Sequence, residues 1–255
     1  MDSLQCGLIQ QMLRRSCALL LCTLFALTPT QASAKHLTLS TLEGLSITEL
    51  CGQVVSEAYS KIDVNVRINL YPAKRSLSVS NGGDVDGELM RIANAEKKYP
   101  NLIRIPTSIC SMSSRVYSKN PNLNLEDWNS LKPYRIGIHR GHLYALNGTQ
   151  GMQAIQINSN ESMFKMLDAD RVDVIVAHVP DATRTIGQMR LKNVYPVSPI
   201  ISDVKLYHYL HKKHQDLVPQ IDTALQEMEQ NGRIAQLAEE FLKSVEQLAV
   251  RRPSH

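Results

Sequence analysis

Past residue 34 the chain has no apolar stretch near the roughly 20 residues that a membrane-spanning helix needs, which excludes a helical membrane span there. A basic cluster is also missing. Lysine and arginine are scattered and interleaved with acids, so the charge pattern gives no reason to invoke nucleic acid. There is no Gly-x-Ser-x-Gly elbow and no Walker loop, and no cofactor is called for. Cysteine is scarce: of five, Cys6, Cys17 and Cys22 fall within the first 34 residues, leaving Cys51 and Cys110.

What is present begins with an export signal. Arg14 and Arg15 precede an apolar run from Ala18 to Leu27, and the small residues Ala32-Ser33-Ala34 follow as a cleavage site. Residues 1–34 are therefore expected to be a signal peptide removed near Ala34, placing the mature protein in the periplasm. Cys22 could suggest a lipid-modified cysteine, but Leu21 before it is not small. Without Arg14, Arg15 and Asp2, 26 of 28 basic and 23 of 24 acidic residues remain, a nearly balanced charge. In an oxidising compartment Cys51 and Cys110 can form a disulfide or stay as two buried thiols. The expectation is a bond, because only this pair survives processing.

The pattern of the remaining chain is α/β. A short strand is predicted over 37–42. Ser46 and Glu49 then make a capping box ahead of Ile47, Leu50, Cys51, Val54, Ala58 and Tyr59 at helical spacing. Residues 64–70 read as a strand, and Pro72 opens a short helix that stops at Asn81-Gly82-Gly83. Further strands are predicted from Val85 and over 102–105, 115–117, 135–138, 154–157, 172–177 and 205–210. Helices are predicted over 93–99 and 161–167, and a pair near the C-terminus is split by Asn231-Gly232. Strands alternating with helices argue for parallel α/β layers. Asp84-Val85-Asp86 and Arg171-Val172-Asp173 echo each other before apolar strands.

Three stretches carry a resemblance. Asn81-Gly82-Gly83-Asp84-Val85-Asp86-Gly87, the run from Trp128 to Ile138 with Arg140-Gly141, and the helical hairpin from Leu217 to Phe241 are similar to the family 3 extracellular solute-binding proteins. The resemblance implies a two-lobed, periplasmic-binding-protein-like (type II) fold with two hinge strands, near Tyr117 and Ile201. Lobe 1 would comprise residues 35–116 and 202–250, lobe 2 residues 117–201, and 251–255 a disordered tail. It also implies a monomeric binding protein, not an enzyme, that captures a small polar or anionic solute for a membrane permease or a sensor protein.

The chain departs from that family in its binding motifs. No Thr-containing motif ending in Arg follows the strand from Val85, leaving Arg91 as the nearest cation. His178 stands where the family's later strand ends in Asp, and Gly141-His142-Leu143 replaces Gly-Thr-Thr. Candidate ligand residues at strand ends are Tyr71, Arg75, Arg91, Arg140, His142, His178 and Asp181, and their balance predicts an anionic ligand. Two alternatives stay open: a sensing or adapter module, and a dehydratase-like enzyme using His178 with Asp181 as acid and base. No metal site is expected, because His208 and His211 have opposite strand parity and His139 and His142 straddle a turn.

Overall fold

A computed structural model describes residues 35–250. The expected signal peptide and the tail at 251–255 lie outside the described residues.

The chain opens with strand β1 (Lys35–Leu42), helix α1 (Ile47–Ser60), strand β2 (Val64–Tyr71), helix α2 (Ala73–Gly82) and strand β3 (Gly87–Ile92). The 17-residue strand β4 (Leu102–Ser118) follows. Next come β5 (Ile136–His139), α3 (Leu143–Gly148), β6 (Ala154–Ile157), α4 (Asn160–Asp168), β7 (Val174–His178) and α5 (Val179–Met189). The short β8 (Tyr195–Pro196), β9 (Ser202–His211), α6 (Val218–Gln230) and α7 (Arg233–Val250) complete the chain.

The strands form one mixed sheet in the order β2-β1-β3-β9-β4-β7-β5-β6, with β8 paired to β4. Two long strands at its centre join two α/β lobes. On one side β9 pairs antiparallel with β3, and on the other Ser114–Ser118 of β4 pair antiparallel with β7. Strand β1 is parallel to its neighbours β2 and β3, and β5 to β6 and β7. The carboxyl ends of β1 and β3 therefore open toward β7 and β5, the edge at which such sheets bind ligands.

The first lobe's core gathers Leu37 and Leu39 from β1, Val54, Ala58 and Tyr59 from α1, and Ile221, Leu225 and Met228 from α6. Each of the buried leucine, isoleucine, valine and methionine side chains, taken from water, contributes about 1.5–3 kcal/mol before chain entropy is counted. The second lobe has a core on each face of its sheet. Phe164, Met163 and Ile175 lie on one face, and Ile136, Ile138 and Val176 on the other. Hence β7 is buried at every position, and its first four residues read as an apolar run, as expected of a central strand, before it ends on His178.

Helix α2 ends as the sequence predicts, on Gly83 at φ 84°. The helix predicted over 93–99 shrinks to a 3-10 turn at Ala95–Lys97, because Asn94 takes a left-handed backbone at φ 71° just before it. The strands predicted separately at 102–105 and 115–117 belong to the single strand β4. Helix α7 sends Leu237, Phe241 and Val245 into the first core, while its far end lies against α5 of the other lobe. A Cβ added to Gly187 would sit 2.3 Å from the Ala249 Cβ, so only glycine lets these helices approach this closely.

Cys51 of α1 and Cys110 of β4 are bonded, with Cα atoms 5.8 Å apart and a sequence separation of 59. Closing a loop of that length stabilises the fold by about 4 kcal/mol in the chain-entropy model. Intact mass of envelope-purified protein should rise by about two daltons on reduction after unfolding, and reduction should lower the melting temperature. Two free thiols before reduction would contradict the bond.

Candidate functional site

The two lobes meet at Asp181. Its helix, α5, was not among the predicted elements, although Pro180 at its first turn followed by an acid is a helix-start signal. Helix α5 leaves β7 directly at His178, and His178 is in ladder register with Ser114 of β4. Both His178 and Asp181 are enclosed, at 2% and 4% exposure. His178 Nδ1 lies 3.2 Å from Asp181 Oδ2.

The other carboxylate oxygen, Oδ1, crosses to the first lobe. It accepts the Ser46 backbone N–H at 3.2 Å and the Ser46 hydroxyl. This accounts for a failed expectation. Ser46 precedes α1 as predicted, but its side chain makes no capping bond because the hydroxyl is engaged by Asp181. Burial alone would raise the Asp181 pKa. Hydrogen bonding and charge from His178, with the two bonds from Ser46, outweigh it and hold the carboxyl below its usual range. A second contact between the same helices joins Arg184 to Glu49 at 4.0 Å. This one is half-exposed and worth little.

Around the carboxylate stands an imidazole and phenol cluster from the second lobe. The rings of His139 and His142 stack at 4.4 Å, and His142 stacks on Tyr144 at 5.7 Å. Burial, with His139 next to it, pushes the His142 pKa down to about 4, so this ring is neutral at pH 7. Tyr144 accepts a hydrogen bond from the Ser114 hydroxyl at 2.9 Å and packs against cores of both lobes. Tyr144, Ser46 and His139 were not among the predicted ligand residues; His139 was weighed only as a metal ligand. Ser46 was legible only as a cap, because its partner lies 135 residues away.

The structure thus brings His142, His178 and Asp181 together. It places the other candidates elsewhere. Arg91 forms an ion pair with the fully buried Glu88 at 3.0 Å, and Glu88 also accepts hydroxyls of Ser40 at 2.9 Å and Ser76 at 2.6 Å. Arg140 is exposed and bonds Asn158 at 2.8 Å, fastening the ends of β5 and β6. Tyr71 and Arg75 lie at the outer edge strand β2 and the helix after it, with the guanidinium 5.9 Å from the phenol ring centroid. Arg91 thus pairs with Glu88, Arg140 bonds the β6 end, and a carboxylate stands beside His178.

No family model matches the chain. An uncharacterized protein of Shewanella oneidensis is 25% identical over 190 residues, covering 70% of each chain. Among solved structures, a probable amino-acid ABC transporter extracellular-binding protein of Bacillus subtilis is similar with TM-score 0.68 and 16% identity, over 82% of this chain and 99% of that one. An ancestral arginine-binding protein bound to arginine aligns with TM-score 0.62 and 17% identity, over 81% and 97%. A histidine kinase sensor domain with similarity to periplasmic binding proteins aligns with TM-score 0.63 and 15% identity, over 82% and 98%. The chain has the two-lobed periplasmic-binding-protein-like fold.

Proposed function

We propose that this chain is an exported solute-binding protein that closes over a zwitterionic amino acid or a close relative of one, in the cleft where Ser46 faces Asp181, and hands it to a membrane permease. One observation carries the reading. Across the cleft a backbone N–H at the start of α1 and a buried carboxylate satisfy each other. A molecule with a carboxylate at one end and an ammonium at the other replaces both halves of that bond at once, carboxylate to the Ser46 N–H and ammonium to Asp181. The imidazoles of His142 and His178 and the phenol of Tyr144 line the same place. The arginine-bound neighbour and the export signal in residues 1–34 support this reading. His178 and Asp181 are binding groups rather than a catalytic pair on this view, since both carboxylate oxygens already accept hydrogen bonds.

Calorimetry with a panel of L-amino acids and their des-amino analogues tests the assignment. The best amino acid should bind at least tenfold more tightly than its des-amino analogue, and Asp181→Asn should erase that difference. Equal affinity for the two analogues would return the cleft to the anionic-ligand expectation.

A second reading, a ligand-sensing or adapter module for a membrane signalling protein, draws support from the lobes being bonded through Ser46 and Asp181 with α7 lying on both. A permease encoded beside this chain would favour the transport receptor, and a sensor kinase there the second reading, since both use lobe closure.

A further inference from the structure

Beside the Ser46–Asp181 bond lies a cavity of ≈ 560 Å³, within the usual size range of small-molecule sites. It adjoins the strand-end cleft at His178, the last residue of β7, which lines both, but takes none of its lining from β1, β2, β3, β5 or β6. Strands β4 and β9 form part of its wall, with Ser111, Ser113 and Arg115 from β4. Helix α7 contributes Ile234, Ala238, Phe241 and Leu242. The lining is thus two-faced, a polar strand edge and an apolar helix face.

Arg115 is the half-buried cation of this lining, and its Nε is enclosed with no hydrogen-bond partner among the described residues. An enclosed guanidinium N–H left unbonded costs free energy unless an acceptor arrives. The other charges, Lys205, Asp203 and Glu229, are exposed, where solvent and salt screen them. Asp203 already accepts the Ser113 hydroxyl at 2.7 Å.

We propose that this cavity is a second ligand site, adjoining the amino-acid cleft at His178, for a small amphipathic carboxylate. Its anionic end bonds Arg115 and its hydrocarbon body lies on α7. The site exists in full only while the lobes are together. Ile47 and Leu50 line it from the first lobe and Val179 and Pro180 from the second, so Ile47 follows Ser46 and Pro180 precedes Asp181 in the chain. Occupancy therefore favours the closed arrangement, and closure favours occupancy by the same factor.

Decanoate, kept below its micelle concentration, is the probe, with 1-decanol and decyltrimethylammonium as the neutral and cationic comparisons. Titration should show saturable binding of decanoate to the wild type and an approximately tenfold to hundredfold loss in Arg115→Gln, the size expected of a charge-assisted bond. The alcohol should bind both proteins equally and more weakly. Ala238→Trp and, as an independent filling variant, Leu242→Trp should abolish decanoate binding, and Asp181→Asn should weaken it. Amino-acid titrations on the same wild-type and tryptophan samples report the cleft separately, so failure here leaves the cleft assignment standing. No saturable binding of decanoate, equal affinity for decanol, or indifference to both tryptophans overturns the site. Unchanged affinity in Asp181→Asn overturns its coupling to closure.

Discussion

Replacing Arg91 with methionine is expected to destabilise the protein by about 3–5 kcal/mol, the cost of stranding one member of a buried ion pair. Glu88 has 0% exposure, and Arg91 is its cation at 3.0 Å. Burial pushes the Glu88 pKa up to about 6, although Arg91, Ser76 and Ser40 each pull it down. The pH dependence follows from that raised value. The carboxyl's contribution to stability is greatest below its ordinary value of 4.5 and is lost as pH rises through about 6. Without Arg91 the folded-state value climbs further, so the deficit of Arg91→Met should be larger at pH 8 than at pH 5. Urea titrations at both pH values check this, and the double variant Glu88→Gln with Arg91→Met should recover part of the loss. An equal deficit at both pH values would assign it to packing instead.

Asp181→Asn should shift the unliganded protein toward open lobes by about 3 kcal/mol, roughly a hundredfold in population, since both bonds to Ser46 lose their charge assistance. Small-angle scattering would then give a larger radius than the wild type at pH 7. The sign with pH is fixed by the depressed Asp181 value. Its contribution is fully present above the ordinary carboxylate pKa of about 3.9 and is lost as pH falls through the lower folded-state value. The wild-type radius should therefore hold steady from pH 8 to 5 and grow only in stronger acid. Matching radii for the two proteins at pH 7 would mean that other contacts keep the lobes together.

Much of this was legible in the sequence, and the gaps have physical causes. Helix α1 was readable because one apolar face repeats at helical spacing, and Gly83 because a left-handed helix end favours glycine. The Cys51–Cys110 bond followed from counting the cysteines that lie past the expected signal peptide. Strand β4 was split because Pro106 and a run of serines interrupt its pattern. The structure carries the strand through by shifting register between Arg104 and Cys110. Arg91 was nominated for the cleft because a strand-end cation looks free until its partner is known. That partner, Glu88, lies three residues back on the same strand. The Asp181 site was hidden most deeply. Its neighbour His178 is buried inside an apolar run, and its partner Ser46 is meaningful only after the chain has folded.

The contact of Gly187 with Ala249 bears on how the lobes can move at all. A pair of crossing strands by itself permits a swing, like a door on two pins. Here helix α7 is rooted in one lobe and its far end lies against α5 of the other, so a swing would pull the two helices apart at the Gly187–Ala249 contact. The less costly path is for α5 to slide along α7, with small side chains passing one another as rods do in a sleeve.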